Sequence, residues 1–219
     1  MYLASIADLR GQLGFDDMTD INTAIGDALD AAETQVAAIL RTDFDKVNVT
    51  DTFYIDNTER RGGAVKTELL LSRGFLTASP SQVITQQQAP IFLTAFDEVQ
   101  ANYGGTGGPL PNFVFNLEKG FGIDTTNFYL KTYIQISYTS GFDPDGTTSA
   151  QYNLTQVPGW LQQGAKLMAL LLLADSAPVT EAGITINTKM VEQQARLLLQ
   201  KKIRYKPVAL DPISEPVYS

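Results

Sequence analysis

Cysteine and histidine are both absent from the sequence. Without cysteine, the chain forms no disulfide and has no thiolate nucleophile. Without histidine, it lacks the imidazole metal ligand and the usual general base near neutral pH. Together the two absences exclude the common zinc sites and every Ser-His or Cys-His nucleophile arrangement. Carboxylate-only metal sites and Ser-Lys chemistry survive these absences, but no pattern in the sequence points to them. We therefore expect no catalytic residue, no bound metal and no cofactor, and we predict that the protein is not an enzyme.

Long apolar runs are also lacking. The longest nearly apolar run, residues 167–174, is far too short to span a bilayer. The first residues have neither the basic start nor the long apolar region of a signal peptide, so we expect none. With 44% hydrophobic and 18% charged residues, the 219-residue chain has the composition of a folded protein. Its length suits one domain, or a small domain that carries a large insertion, and we expect no membrane contact.

Charge is unevenly distributed along the chain, whose net charge is −8. Residues 1–60 carry 12 acidic and 4 basic side chains, whereas residues 189–206 have a net charge of +5. The simpler interpretation is a pair of solvated helix faces. The alternative is electrostatic complementarity between neighbouring copies or between partners. The basic end is also a weak signal for nucleic-acid binding. Its residues are Lys201, Lys202, Arg204 and Lys206.

The clearest pattern lies between residues 128 and 174. Side chains alternate at period two from Phe128 to Tyr138, the spacing of one face of a strand. Gly141 ends that strand, and a turn follows. After a polar linker, Val157-Pro158 opens an apolar helix, because proline suits the first helical position. A helix that is apolar over most of its circumference is buried, in a core or between subunits.

This order resembles the head–tail connector proteins of tailed bacteriophages, also called adaptor or head-completion proteins. The resemblance lies in a strand ending Tyr-x-x-Gly-aromatic, a variable polar loop, Val-Pro and an apolar helix. The matching residues are Tyr138, Gly141, Phe142, Val157, Pro158, Leu161, Ala165, Leu167 and Leu171. The resemblance extends to an N-terminal helical segment and to a C-terminal helix that ends in basic residues. It does not cover about residues 46–126.

The resemblance implies a structural virion protein that forms a ring of about twelve copies beneath the capsid portal. Such a ring extends the DNA channel and carries the tail, in the neck of the virion, after assembly in the host cytoplasm. Its partners are the portal protein, a tail or neck protein, and genomic DNA that passes without sequence specificity. The apolar helix would pack between copies through Trp160, Leu161, Leu167 and Leu171. An acidic channel face would repel DNA phosphate. The candidate residues for that face are Asp20, Asp27 and Asp30.

The remaining patterns predict an α+β fold. Apolar spacing of three and four residues predicts helices over residues 3–14, 19–41 and 189–204. On the last of these we place Met190, Val191, Ala195, Leu197 and Leu198 on the inner side, and we expect a chain break at residues 176–178. Short strands are expected in one mainly antiparallel sheet. They are residues 46–56, 64–72, 83–85 and 91–96, together with the strand that starts at 128. Residues 113–123 are expected to form a strand, a turn and a second strand.

We accordingly predict a helical connector core of residues 1–45 and 150–206, with a β region, 46–149, inserted into it. Residues 207–219 contain three prolines and are expected to form an extended arm. The resemblance implies that the C-terminal segment binds the portal or a neighbouring copy. The residues expected to do so are Tyr205, Pro207, Val208, Leu210, Pro212, Ile213, Val217 and Tyr218.

Two other functions remain open. A tail-terminator or tail-tube subunit would also form a ring, usually six-fold, but such proteins are built on a sheet with one helix. A small-ligand-binding or enzymatic domain would use the β region and would be a soluble monomer. The absence of histidine and cysteine makes hydrolysis or redox chemistry the weakest of these interpretations.

Overall fold

A computed structural model describes residues 1–15, 21–55, 68–78, 82–87, 113–116, 118–119, 121–124, 132–146, 150–174, 176–181 and 183–204. Contacts within the chain cluster into two units. A helical unit comprises Met1–Thr42 and Phe142–Ile203, and a β unit comprises Asp43–Gly141 with the segment that begins at Arg204. The predicted domains, residues 1–45 with 150–206, residues 46–149 and residues 207–219, stay a prediction.

The helical unit contains five helices in its described part. They are α1 (Ile6–Gln12), α2 (Asn22–Leu40), α3 (Gly159–Leu173), α4 (Ala177–Glu181) and α5 (Thr188–Gln200). Helix α2 has the apolar stripe that its sequence predicts, with Ile25, Leu29 and Val36 fully buried. Helix α3 packs against both α2 and α5, so its wide apolar surface is covered from two sides. Lys166 Nζ of α3 lies 2.9 Å from Asp8 Oδ2 of α1.

The β unit contains six strands in its described part: β1 (Val47–Ile55), β2 (Glu68–Leu70), β3 (Gln82–Gln87), β4 (Phe113–Asn116), β5 (Phe121–Asp124) and β6 (Thr132–Ser140). They form two antiparallel three-stranded sheets, in the orders β1-β6-β3 and β2-β5-β4. Strands β1 and β6 pair along their whole lengths, with Val49 opposite Tyr138 and Asp51 opposite Ile136. The protein is therefore an α+β protein with antiparallel pairing.

Several details of the sequence prediction are wrong. The described strands belong to two sheets instead of one, because β2 pairs with β5 and not with a strand of the β1-β6-β3 sheet. Residues 177–181 form the short helix α4, where we expected only a chain break. Both errors concern partners and local turns that alternation of apolar residues does not encode. The strand expected at residues 91–96 lies outside the described residues.

Helix α5 also differs from its prediction. It ends at Gln200, so Lys201, Lys202 and Arg204 follow the helix and do not form its last turn. Its buried side chains are Val191, Ala195 and Leu199, spaced by four. Met190 and Leu197 are 52% and 55% exposed and are not on the inner side, because they lie on the opposite face of the helix.

No helix in the described part of the chain is both long and apolar enough to cross a membrane.

Candidate assembly surfaces and a buried polar network

The predicted acidic face is partly described. Asp27 and Asp30 are exposed on α2, one turn apart, and Asp30 Oδ1 lies 3.6 Å from the N-terminal nitrogen of Met1. Because residues three apart on a helix are neighbours, the two carboxylates share one surface. Asp20, the third predicted member, lies outside the described residues.

The four predicted packing residues of α3 have different environments. Leu161 is fully buried and Leu167 nearly so, both inside the helical unit of the same chain. Trp160 is half-buried, and Lys202 Nζ lies 4.7 Å from the centre of its ring, within the range of a cation–π contact. Leu171 is also half-buried. Packing between copies stays a prediction, and in this fold Trp160 and Leu171 are the two of the four that keep exposed area.

Leu171 lines a groove of about 530 Å³ between α2, α3 and α5. Most of the lining is apolar, and three charged side chains, Arg41, Glu192 and Arg196, also contribute to it. The apolar lining residues include Ile39, Met168, Leu171, Leu199 and Ile203. Such a groove can bind apolar side chains, with charged groups beside them that favour one orientation.

In the Tyr-x-x-Gly-aromatic motif at the end of β6, the glycine packs closely against another part of the backbone. Gly141 has φ +96°, and a Cβ atom on it would lie 2.3 Å from the backbone oxygen of Asp45. Only glycine fits there without strain. In the helical unit, Phe142 packs edge-on against Tyr152, with ring centroids 6.1 Å apart, and Val157 is buried. Pro158 is the N-cap of α3 and not its first helical residue, one position from our prediction.

The β unit contains a buried carboxylate. Asp51 of β1 is 5% exposed. Its Oδ2 accepts hydrogen bonds from the Ser72 backbone N–H at 2.6 Å and from the Tyr138 hydroxyl at 2.8 Å, and its Oδ1 accepts one from Ser72 Oγ at 2.7 Å. The Tyr138 oxygen accepts in turn from the Arg73 backbone N–H at 3.0 Å. Burial raises the pKa of Tyr138 above its usual value. We call these four residues the Asp51 network.

Arg204 is buried next to this network, with 3% of its surface exposed. Its guanidinium donates to three backbone carbonyls: Nε to Lys119 at 2.6 Å, Nη1 to Ser72 at 3.1 Å, and Nη2 to Leu71. Burial lowers the pKa of Arg204 to about 10, and Tyr138 and Asp51 partly oppose that shift. The group is therefore a cation at neutral pH. Its interpretation as a helix-end or nucleic-acid-binding charge was wrong, because its donors face the interior.

Sequence reasoning did not find the Asp51 network, although one signal was present. Val47, Val49, Asp51 and Phe53 share one face of β1 at period two, so a carboxylate lies on an apolar face. A carboxylate on such a face requires hydrogen-bond donors. The sequence offers many donors, and only the fold selects Ser72 and Tyr138. Arg204 gave no signal of burial, because it stands in a basic segment.

Among the described residues, no group of three acidic side chains is placed to hold a metal ion. Both oxygens of Asp51 accept hydrogen bonds from within the chain, which makes this carboxylate a structural acceptor. All eight predicted arm residues, from Tyr205 to Tyr218, lie outside the described residues.

No family model matches the chain, and no curated protein matches it. Among solved structures, the chain is similar to one described as "Neck of empty GTA particle computed with C6 symmetry", at 15% identity and a TM-score of 0.38. The match covers 84% of this chain and 91% of that chain.

Proposed function

We propose that this protein is a structural component of the neck of a phage-like particle, of the head–tail connector kind. In this proposal copies form a ring that joins the portal to the tail and extends the DNA channel. The observation that carries the proposal is the route of the chain from β6 through Gly141-Phe142 and Val157-Pro158 into α3, which packs between α2 and α5.

Each motif residue along this route has a structural task. Gly141 permits the approach of the Asp45 backbone, while Phe142 and Val157 are buried. Helix α3 is covered by one helix from the N-terminal part of the chain and one from the C-terminal part. A helical core assembled from both ends of the chain, with strands between them in sequence, is what the connector resemblance implies.

The described chemistry also fits a structural role better than a catalytic one. The Asp51 network and Arg204 use their polar atoms within the β unit, so they present no reactive group to a substrate. A small-ligand function would have to use the groove between α2, α3 and α5, whose lining is mostly apolar.

The first test is the mass of the assembly in solution, alone and mixed with the portal complex of the same particle. We expect a complex with the portal that contains about twelve copies of this chain. Six copies would favour a tail-terminator or tail-tube role instead. If the chain stays monomeric and does not bind the portal at high concentration, the proposal is contradicted and a ligand-binding function is favoured.

The second test concerns the C-terminal arm. Replacing Val208, Leu210 and Ile213 together by serine removes apolar anchors and should abolish portal attachment, because docking a proline-stiffened segment depends on such side chains. A matched control replaces Ser214 and Glu215 by alanine in the same arm and should retain attachment. Undiminished binding by the triple-serine variant would exclude the arm as the portal-binding segment.

The third test concerns the acidic face. In particles assembled with Asp20→Asn, Asp27→Asn and Asp30→Asn together, DNA retention or ejection should change, because the channel would repel phosphate less. Glu181→Gln, which removes an exposed carboxylate from α4, is the control. If particles of the triple variant retain and eject DNA as natural particles do, these aspartates lie away from the DNA.

A further inference from the structure

We infer that Arg204 is a positioning residue: its guanidinium fixes residue 204 to the β unit and so sets where the following segment, residues 205–219, begins. Arginine is rarely buried unless its charge is compensated. Here three of its nitrogen atoms donate to backbone carbonyls, and the side chain is almost inaccessible to solvent. A side chain held by three hydrogen bonds fixes the backbone of its own residue, and hence the start of the residues that follow.

The acceptors come from two separate stretches of the β unit. Leu71 and Ser72 directly follow β2, whereas Lys119 lies in the turn between β4 and β5. The planar guanidinium suits this task because its donors point in several fixed directions at once. A lysine ammonium at the end of a flexible chain cannot reproduce that geometry.

The path of the Arg204 side chain is also specific. A Cβ atom added to Gly74 would lie 3.0 Å from Arg204 Cδ and 2.7 Å from the backbone oxygen of Glu118. Glu118 O accepts a hydrogen bond from the Phe75 backbone N–H at 2.9 Å, which holds that turn in place. The Arg204 side chain therefore depends on the absence of a side chain at Gly74 and runs beside the turn that contains Glu118.

Proteolysis after Tyr205 tests the inference directly. Chymotrypsin cleaves after tyrosine and binds several residues on both sides of the bond in extended form. Arg204 cannot enter the protease cleft while its guanidinium occupies the carbonyl site. When opening is fast relative to cleavage, the rate at which the 1–205 fragment forms reports how often Arg204 leaves that site.

We compare the natural chain with three variants. Arg204→Met removes all three donors and should raise cleavage after Tyr205 by at least about tenfold. Arg204→Lys keeps a charge and should give an intermediate rate. Arg196→Met removes an exposed arginine of α5 that forms an ion pair with Glu192 at 3.6 Å, and should leave the rate within about twofold.

A merely structural role would have a different signature. If Arg204 only stabilised the β unit as a whole, Arg204→Met would speed cleavage throughout that unit to the same degree. The inference requires a selective increase after Tyr205 while circular dichroism remains native. Equal rates for the natural chain and Arg204→Met, or an equal increase throughout the unit, would overturn it. If Arg204→Met does not fold, the cleavage rate of Arg204→Lys is used instead. A selective increase after Tyr205 supports the inference, and no increase, or an equal increase throughout the unit, overturns it.

One consequence rests on the proposed function. If residues 205–219 bind the portal, Arg204→Lys should weaken attachment while truncation after Arg204 abolishes it. Attachment that survives truncation contradicts the arm's role in the proposed function and leaves the proteolysis result intact. Attachment that is lost on truncation but equal in Arg204→Lys and the natural chain contradicts only the role of Arg204.

Discussion

One buried hydroxyl group joins three segments of the β unit by hydrogen bonds. The Tyr138 hydroxyl donates to Asp51 and accepts from the Arg73 backbone N–H, so one oxygen joins β1, β6 and the segment after β2. Removing one member of a buried network leaves its partners unsatisfied, which costs more than the hydrogen bond contributed.

Tyr138→Phe should therefore destabilise the protein by about 1–3 kcal/mol, because the buried Asp51 carboxylate loses a donor. Urea unfolding followed by circular dichroism measures the difference. Thr139→Val is the matched control. The Thr139 hydroxyl, on the residue next to Tyr138, donates to Asn48 Oδ1 at 2.7 Å in an exposed position. Its loss should lower the free energy of unfolding by less than about 0.5 kcal/mol. Equal effects of the two variants would contradict the buried network.

The raised pKa of Tyr138 predicts a pH dependence. An unfolded tyrosine ionises near pH 10. Above that pH the native state still holds the Tyr138 proton that the unfolded state has released, so this residue's contribution to stability falls as the pH rises. The pKa of Arg204 is lowered, so above about pH 10 the unfolded state holds a proton that the native state has released. The contribution of Arg204 to stability therefore rises with pH, opposite to that of Tyr138.

Phenolate absorbance isolates the tyrosine contribution. In an alkaline titration of the folded protein, which has nine tyrosines, a late fraction should ionise only together with unfolding. In Tyr138→Phe the part of that fraction due to Tyr138 should disappear. A titration of the natural chain complete near pH 10, with the fold intact, would be inconsistent with a buried Tyr138.

At the scale of elements, short local interactions set where helices and strands end. The Asn187 side chain accepts from the Met190 backbone N–H at 3.2 Å and begins α5. Gly141 terminates β6 in a left-handed conformation beside the Asp45 backbone. These signals depend on residue type and neighbours in sequence, and for that reason they could be predicted.

Gly141→Ala should destabilise the protein by at least about 3 kcal/mol, because the new methyl group meets backbone and the φ angle is unfavourable. Gly183→Ala is a matched control: Gly183 also has positive φ, +71°, but nothing lies within 4 Å of an added Cβ atom. It should cost only about 1–2 kcal/mol, the conformational part alone. Thermal unfolding of both variants would separate the two contributions, and equal losses would exclude the steric one.

At the scale of the whole molecule, charge asymmetry bears on assembly. Residues 1–60 are acidic and residues 189–206 are basic. If neighbouring copies pair through these regions, raising the ionic strength from about 0.01 M to about 1 M should dissociate the assembly, because the Debye length falls from about 30 Å to about 3 Å. Sedimentation velocity measures the change.

A charge reversal makes the salt prediction specific. Lys189→Glu should weaken assembly, whereas Lys46→Glu, which adds an exposed carboxylate to the acidic region, should not weaken it. Assembly that strengthens with salt would instead indicate apolar contacts between copies.

The sequence alone determined the α+β class, the approximate bounds of α1, α2, α3 and α5, and the strand character of β1 and β6. These follow from periodicity and capping, which are local. Only the tertiary structure decided that the strands form two sheets, that Asp51 pairs with Ser72 and Tyr138, and that Arg204 is buried. Those outcomes depend on which distant groups meet, and a buried charge selects its partners by position, which spacing along the chain does not encode.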